Sequence, residues 1–162
     1  MSVGKTPLGL QDSPWVVRSS QSVGVRVPRL KIMVVEDDAL IGMLLGDMLE
    51  GMGHDVCAIV ATEDGAVSGA AFHHPDLMVV DAWLGEGSGI SAMDKIQTVG
   101  PMPHVFVSGD KSRVRIRRPD SIMVQKPYRE ADIVQAIRRA CGGHQIRAPQ
   151  GRPVHNADDA EL

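Results

Sequence analysis

The stretch LKIMVVEDDALIGMLLGDMLEGMG (30–53) decides the fold. Its first part, Leu30–Val35, is an apolar run of the kind that forms a strand buried on both faces. Three acidic residues follow, Glu36, Asp37 and Asp38. The period then changes over Ala39–Met52, where Leu40, Ile41, Leu44, Leu45, Met48, Leu49 and Met52 make a helical stripe. Asp38 is the expected N-cap and Gly51 or Gly53 the stop. Gly42 and Gly46 lie inside this helix, each costing about 1 kcal/mol relative to Ala, which points to close packing on a sheet.

The alternation continues along the chain. Val56–Val60 reads as a strand, Glu63–His73 as a helix and Leu77–Asp81 as a strand. Ser88–Val99 is a helix with Ile90, Met93, Ile96 and Gln97 marking its inner face. His104–Val107 and Ile122–Val124 are strands, and Arg129–Cys141 is a last helix, with Ile133, Ile137, Ala140 and Cys141 on one face and Gly142 ending it. Strand then helix with short links implies an α/β fold with a parallel sheet. Right-handed crossovers leave few topologies, and the expected one is flavodoxin-like: a (βα)5 unit, sheet order 2-1-3-4-5, helices on both faces. Only Asp110 to Asp120 remains for helix four and its links, and Pro119 restricts it further, so that helix should be short, displaced or mobile.

The chain of 162 residues suits one domain with tails. Residues 29–143 are the expected domain, 1–28 a flexible extension with a short strand near Val23–Val27, and 144–162 a disordered tail. Trp15 in the extension is either a docking anchor or exposed. Aromatics are 3% of the chain, so aliphatic side chains must build the core. A net charge of −3 gives no bulk argument for nucleic acid or membrane. No apolar run approaches the roughly 18 residues needed to span a bilayer, and no apolar segment follows Lys5 to make a signal peptide. Cys57 and Cys141 form neither a metal spacing nor CxxC, and Cys57 reads as a buried, reduced thiol. A cytoplasmic location fits these features.

In such a sheet, ligands bind beyond the carboxyl ends of the strands. Glu36 and Asp37 stand after strand one, Asp81 after strand three, Ser108 after strand four and Lys126 after strand five. Carboxylates gathered this way need a compensating cation, and an all-oxygen set suits Mg²⁺ or Mn²⁺. Lys126 is a point charge suited to a phosphate oxygen, and Asp81 as nucleophile would form an aspartyl phosphate. GKT (4–6) lacks the first glycine of a P-loop, and GEGSG (85–89) runs into Ile90 where a dinucleotide loop needs glycine.

The fragments MVVEDD (33–38), LMVVDAWLGEGSG (77–89), VFVSGD (105–110) and QKPY (125–128) lie in this order at strand ends. With them the chain, from about Leu30 to Gly143, resembles the receiver domain of two-component response regulators, of the stand-alone, single-domain type. That resemblance implies Asp81 as phosphoacceptor, Asp37 as direct metal ligand and Glu36 as the carboxylate working mainly through water. It implies the backbone carbonyl of Trp83 as a further ligand, Ser108 as the switch hydroxyl, and Lys126 as the lysine that contacts the phosphoryl group, before a cis bond to Pro127. Gly89 fits the glycine eight residues after the acceptor. Two positions depart from the family pattern. Met123 stands where receivers usually carry Tyr or Phe, and Gly85 where many carry proline.

The implied function is a switch, not an enzyme. A histidine kinase or phosphotransfer protein donates to Asp81, hydrolysis of the acyl phosphate sets the timing, and output passes to a protein partner. The roughly 20 residues after the last helix are too few for a DNA-binding domain. KSRVRIRR (111–118) has five basic residues in eight. It reads either as a solvated face with Val114 and Ile116 turned inward, or as part of a partner surface over 110–128. No recognition helix or stacking aromatics accompany it, so direct nucleic-acid binding is not expected. The expected state is a monomer or weak dimer. The rivals are a constitutive interaction module, a phosphate sink, and a phosphohydrolase that Trp83 disfavours, since such enzymes commonly carry aspartate there.

Overall fold

The computed structural model describes residues 28–142. Trp15, the strand expected near Val23–Val27 and the tail at 144–162 lie outside the described residues. The elements run β1 (Lys31–Val35), α1 (Ala39–Gly51), β2 (Asp55–Val60), α2 (Glu63–His73), β3 (Leu77–Asp81), α3 (Gly89–Gln97), β4 (His104–Ser108), α4 (Lys111–Arg117), β5 (Met123–Gln125) and α5 (Glu130–Gly142). The five strands form one sheet in the order β2-β1-β3-β4-β5, all pairs parallel. This is the flavodoxin-like order expected. The third helix is shorter than expected by one residue at its start and two at its end, and β5 begins at Met123 rather than Ile122.

Strand alternation builds two cores. Ile32, Val34, Leu77, Val79, Val105 and Val107 point to one face, where Leu45 and Leu49 of α1 and Ile133, Ala136 and Ile137 of α5 cover them. Met33, Val35, Met78, Val80 and Phe106 point to the other, under Ala66 of α2, Ile90 and Met93 of α3 and Val114 of α4. With both faces covered, the central strands have no exposed side, and this is why they read as unbroken apolar runs.

Two expectations about helix faces are corrected. In α1 the sheet-facing positions are Gly42, Leu45, Gly46 and Leu49, whereas Leu40 and Leu44 of the expected stripe are 66% and 58% exposed. The glycines explain this. A Cβ at either position would stand 3.0 Å from the side chain of Ile59, so the helix lies close to β2 on a bare ridge and its apolar stripe spreads past the buried face. In α4 only Val114 turns inward, while Ile116 is 82% exposed. A helix of seven residues presents less than two full turns, and Ile116 falls off its buried side.

Cys57 is half-buried rather than fully buried. The β1–β2 register slips between Ile32 and Met33, leaving Cys57 without a partner across the pair. Its thiol donates to the Ile32 carbonyl at 3.3 Å. No helix among the described residues is long and apolar enough to cross a membrane.

Candidate functional site

The carboxyl ends of β1, β3, β4 and β5 meet at one crevice. Glu36 follows β1, its amide donating to the Val60 carbonyl at 2.9 Å, and it is 2% exposed. Asp81 ends β3 and is also buried. Lys126 follows β5 and is held in place when its amide donates to the Ser108 carbonyl at 2.9 Å. Its ammonium reaches back across the crevice, donating to Glu36 Oε2 at 2.7 Å and to Asp81 Oδ2 at 2.6 Å. The Lys126–Pro127 bond is cis, as the resemblance implies.

Asp37 stands at the exposed lip. Oxygens of Glu36, Asp37 and Asp81 lie within 4.8 Å of one another. Three carboxylates face one ammonium, so the cluster carries excess negative charge in a partly desolvated place. Its effect is visible on Glu36. Burial pushes its carboxyl above the ordinary value, the Lys126 hydrogen bond opposes this, and the nearby Asp81 adds to it. Burial works against the Lys126 ammonium too, but the hydrogen bonds to Asp81 and Glu36 outweigh it and hold its pKa above the ordinary lysine value. An all-oxygen donor set with unbalanced charge and an open lip fits a hard divalent cation that keeps some water.

The loop from β3 to α3 forms the wall of the crevice. The Trp83 amide donates to Asp81 Oδ1 at 2.9 Å, and the Gly85 amide donates to Asp37 Oδ2 at 2.8 Å. Proline at 85 has no N–H to make that bond. Gly89 is obligatory on steric grounds, because a Cβ there would collide with the Asp81 carbonyl oxygen. The loop is fastened from behind by Glu63, at the start of α2. Its carboxylate accepts from Ser91 Oγ at 2.6 Å and the Ser88 amide at 2.9 Å, and pairs with Lys95 at 2.9 Å. The Ser91 hydroxyl first, then Lys95 and the Ser88 amide, hold the Glu63 pKa down at about 2.

The Ser108 hydroxyl is fully buried and its bonds run to the Asp110 backbone, accepting from the amide at 3.1 Å. The Asp110 carboxylate in turn caps α4, accepting from the Ser112 and Arg113 amides. Asp38 caps α1 in the same way, the role expected of it. The Trp83 ring lies under α4, with the Arg113 guanidinium 4.2 Å from its centroid and that of Arg117 at 5.9 Å. Such contacts contribute about 0.5–1 kcal/mol each at exposed sites. Among the described residues, the indole Nε1 is buried without a hydrogen-bond partner.

A family model of the response regulator receiver domain matches residues 32–138. The chain belongs to the receiver domain family. Among curated receivers, it is 30% identical over 131 residues to the phyllosphere-induced regulator PhyR of Methylorubrum extorquens, spanning 78% of this chain and 48% of that protein. The chain thus spans about half the length of that relative. The solution structure of the Erythrobacter litoralis PhyR receiver domain superposes with a TM-score of 0.66 at 26% identity, over 76% of this chain and 97% of that one. The anti-anti-sigma factor PhyR of Bartonella quintana gives a TM-score of 0.65 at 28% identity, over 74% of this chain and 50% of that one.

Of the residues singled out from the receiver pattern, the structure brings Glu36, Asp37, Asp81 and Lys126 into one cluster and puts Trp83 and Ser108 at its edge. Sequence reasoning missed Glu63, whose partners Ser88, Ser91 and Lys95 all lie 25 or more residues away. It also missed the apolar rim. Exposed Leu44 belongs to a groove of about 510 Å³ between α1 and the Lys126–Tyr128 segment. The signal for both was present only as an acidic helix start and an over-wide apolar stripe.

Proposed function

We propose that the chain is a phosphorylation-controlled switch that accepts a phosphoryl group on Asp81 in a Mg²⁺-dependent reaction and signals by binding another protein. The observation that carries this reading is the Lys126 ammonium held 2.6 Å from Asp81 and 2.7 Å from Glu36 in a cluster that retains excess negative charge. Asp37, Asp81, Glu36 and the Trp83 carbonyl would hold Mg²⁺ or Mn²⁺, which when bound supplies charge neutralisation for a transferring phosphoryl group. An Asp81 carboxylate oxygen forms the new O–P bond as the donor's P–N or P–O bond breaks and the leaving group keeps the electron pair. Lys126 pairs with the phosphoryl oxygens, and the loop amides hold the acidic residues in position. Ser108 is the hydroxyl that can exchange its Asp110 partner for the phosphoryl group.

The donor in this reading is a histidine kinase or phosphotransfer protein, and the setting is the cytoplasm. The Bartonella quintana relative is an anti-anti-sigma factor, and output through a protein partner at 110–128 is proposed for this chain too, as a monomer or weak dimer. Met123 favours a second reading, a constitutive interaction module or phosphate sink, because no aromatic ring stands there to follow the hydroxyl.

The deciding experiment is incubation with Mg²⁺ and acetyl phosphate followed by intact mass. An adduct lost in Asp81→Asn and blocked by EDTA is the expected result. An adduct that persists in Asp81→Asn removes Asp81 from the reaction, and no adduct at all leaves the constitutive module.

A further inference from the structure

We infer that Trp83 couples the state of Asp81 to helix α4. This rests on Asp81 being the phosphoacceptor, and it assigns to Trp83 the part that an aromatic residue at position 123 would otherwise play.

The path is short and continuous. The acceptor carboxylate holds the Trp83 amide at 2.9 Å. Two residues beyond Asp81, the indole ring carries Arg113 at 4.2 Å and Arg117 at 5.9 Å. The two arginines are four residues apart, so they share one face of α4. Among the described residues neither is ion-paired to a carboxylate. Between them Val114 is buried in the same apolar cluster against which Trp83 and Met123 pack. Met123 has no π face, so of these two neighbours only Trp83 can hold a guanidinium.

The seat of the ring is open to change. Among the described residues its Nε1 is buried with no acceptor, so there packing and the two cations hold the ring. A phosphoryl group on Asp81 acts on this arrangement through the acceptor carboxylate, because it takes charge from the oxygens that hold the Trp83 amide. At the start of the same helix, the Ser108 hydroxyl holds the amide of Asp110, the residue that caps α4. Transfer of that hydroxyl to the phosphoryl group releases the cap residue as the ring shifts. Helix α4 is therefore linked to the acceptor site at two points, its basic face through Trp83 and its cap residue through Ser108, and both change together.

The test uses the full chain carrying Trp15→Phe, which leaves Trp83 as the one tryptophan of the two in the sequence. The protein is phosphorylated with acetyl phosphate and Mg²⁺, and its extent is read by intact mass. Trp83 emission should shift, and amide exchange over 111–117 should change several-fold. The variant Arg113→Gln, Arg117→Gln alters exposed positions outside the acceptor pocket and should be phosphorylated to the same extent. Its α4 response should fall below half, and Arg113→Lys, Arg117→Lys should restore part of it. An equal α4 response in the Gln variant overturns the coupling, as does a phosphorylated parent chain with unchanged Trp83 emission. No adduct on the parent chain is a different failure. It overturns the Asp81 reading and takes the coupling with it.

Discussion

The Gly85 amide donates to Asp37 Oδ2 at 2.8 Å, joining the loop after β3 to the residue after β1. Among the described residues the other Asp37 oxygen has no hydrogen-bond partner, and the bond fixes the plane of the carboxylate. Groups that orient a metal ligand in this way commonly change metal affinity by about 10- to 100-fold when removed. Gly85→Pro deletes the donor at a position where the family tolerates proline. It should leave the fold intact by circular dichroism and weaken Mg²⁺ binding by about tenfold in a calorimetric titration.

Lys126 compensates two buried carboxylates at once. Replacing it with Met leaves Glu36 and Asp81 facing each other without a cation. The loss should be about 1–3 kcal/mol, at the lower end because the lysine side chain is itself 22% exposed. Mg²⁺ should then raise the melting temperature of Lys126→Met more than that of the parent chain, since the ion replaces the missing charge. Equal shifts in the two proteins would contradict a shared electrostatic site.

Glu63 gives a pH-dependent fastening to the β3–α3 loop. Its folded pKa of about 2 lies below the ordinary 4.5. Its contribution is therefore present above pH 4.5 and is lost as the pH falls toward 2. Glu63→Gln should lower the urea midpoint at neutral pH, and the gap to the parent should narrow as the pH is taken from 4.5 down to about 3. A gap that stays constant over that range would show that the Glu63 charge is not what holds Ser88, Ser91 and Lys95.

Leu44 is exposed yet lines the groove that opens beside Lys126. Leu44→Lys should change stability by no more than about 0.5 kcal/mol, as expected for a surface position. If a protein donor docks on this rim, transfer from a phosphohistidine protein should slow while uptake from acetyl phosphate does not. Equal rates from the protein donor would place its docking elsewhere.

The sheet and the strand-end residues are legible in the sequence for a physical reason. Strands buried on both faces are continuous apolar runs, and each polar residue that ends one must sit at the same rim. Glu36, Asp81, Ser108 and Lys126 follow from that rule. What is not legible depends on partners far apart in the chain. Glu63 acquires its role only when α2 packs beside α3. Trp83 meets Arg113 only because a short α4 lays its basic face over the β3–α3 loop. The outer face of α1 is misleading for a local reason: glycines occupy the sheet-facing ridge, so apolar periodicity marks a wider arc than burial does.

Helix α4 has seven residues, well short of the about 12–15 at which an isolated helix becomes even marginally stable in water. Its order depends on the Asp110 cap, on Val114 and on the indole beneath its arginines. The same segment carries Lys111, Arg113, Arg115 and Arg117, a row of trypsin cleavage sites. The rate at which trypsin nicks the native chain there reports how often the helix unwinds. A protease commonly used to map domain borders thus becomes a clock for an element on which the proposed switch depends.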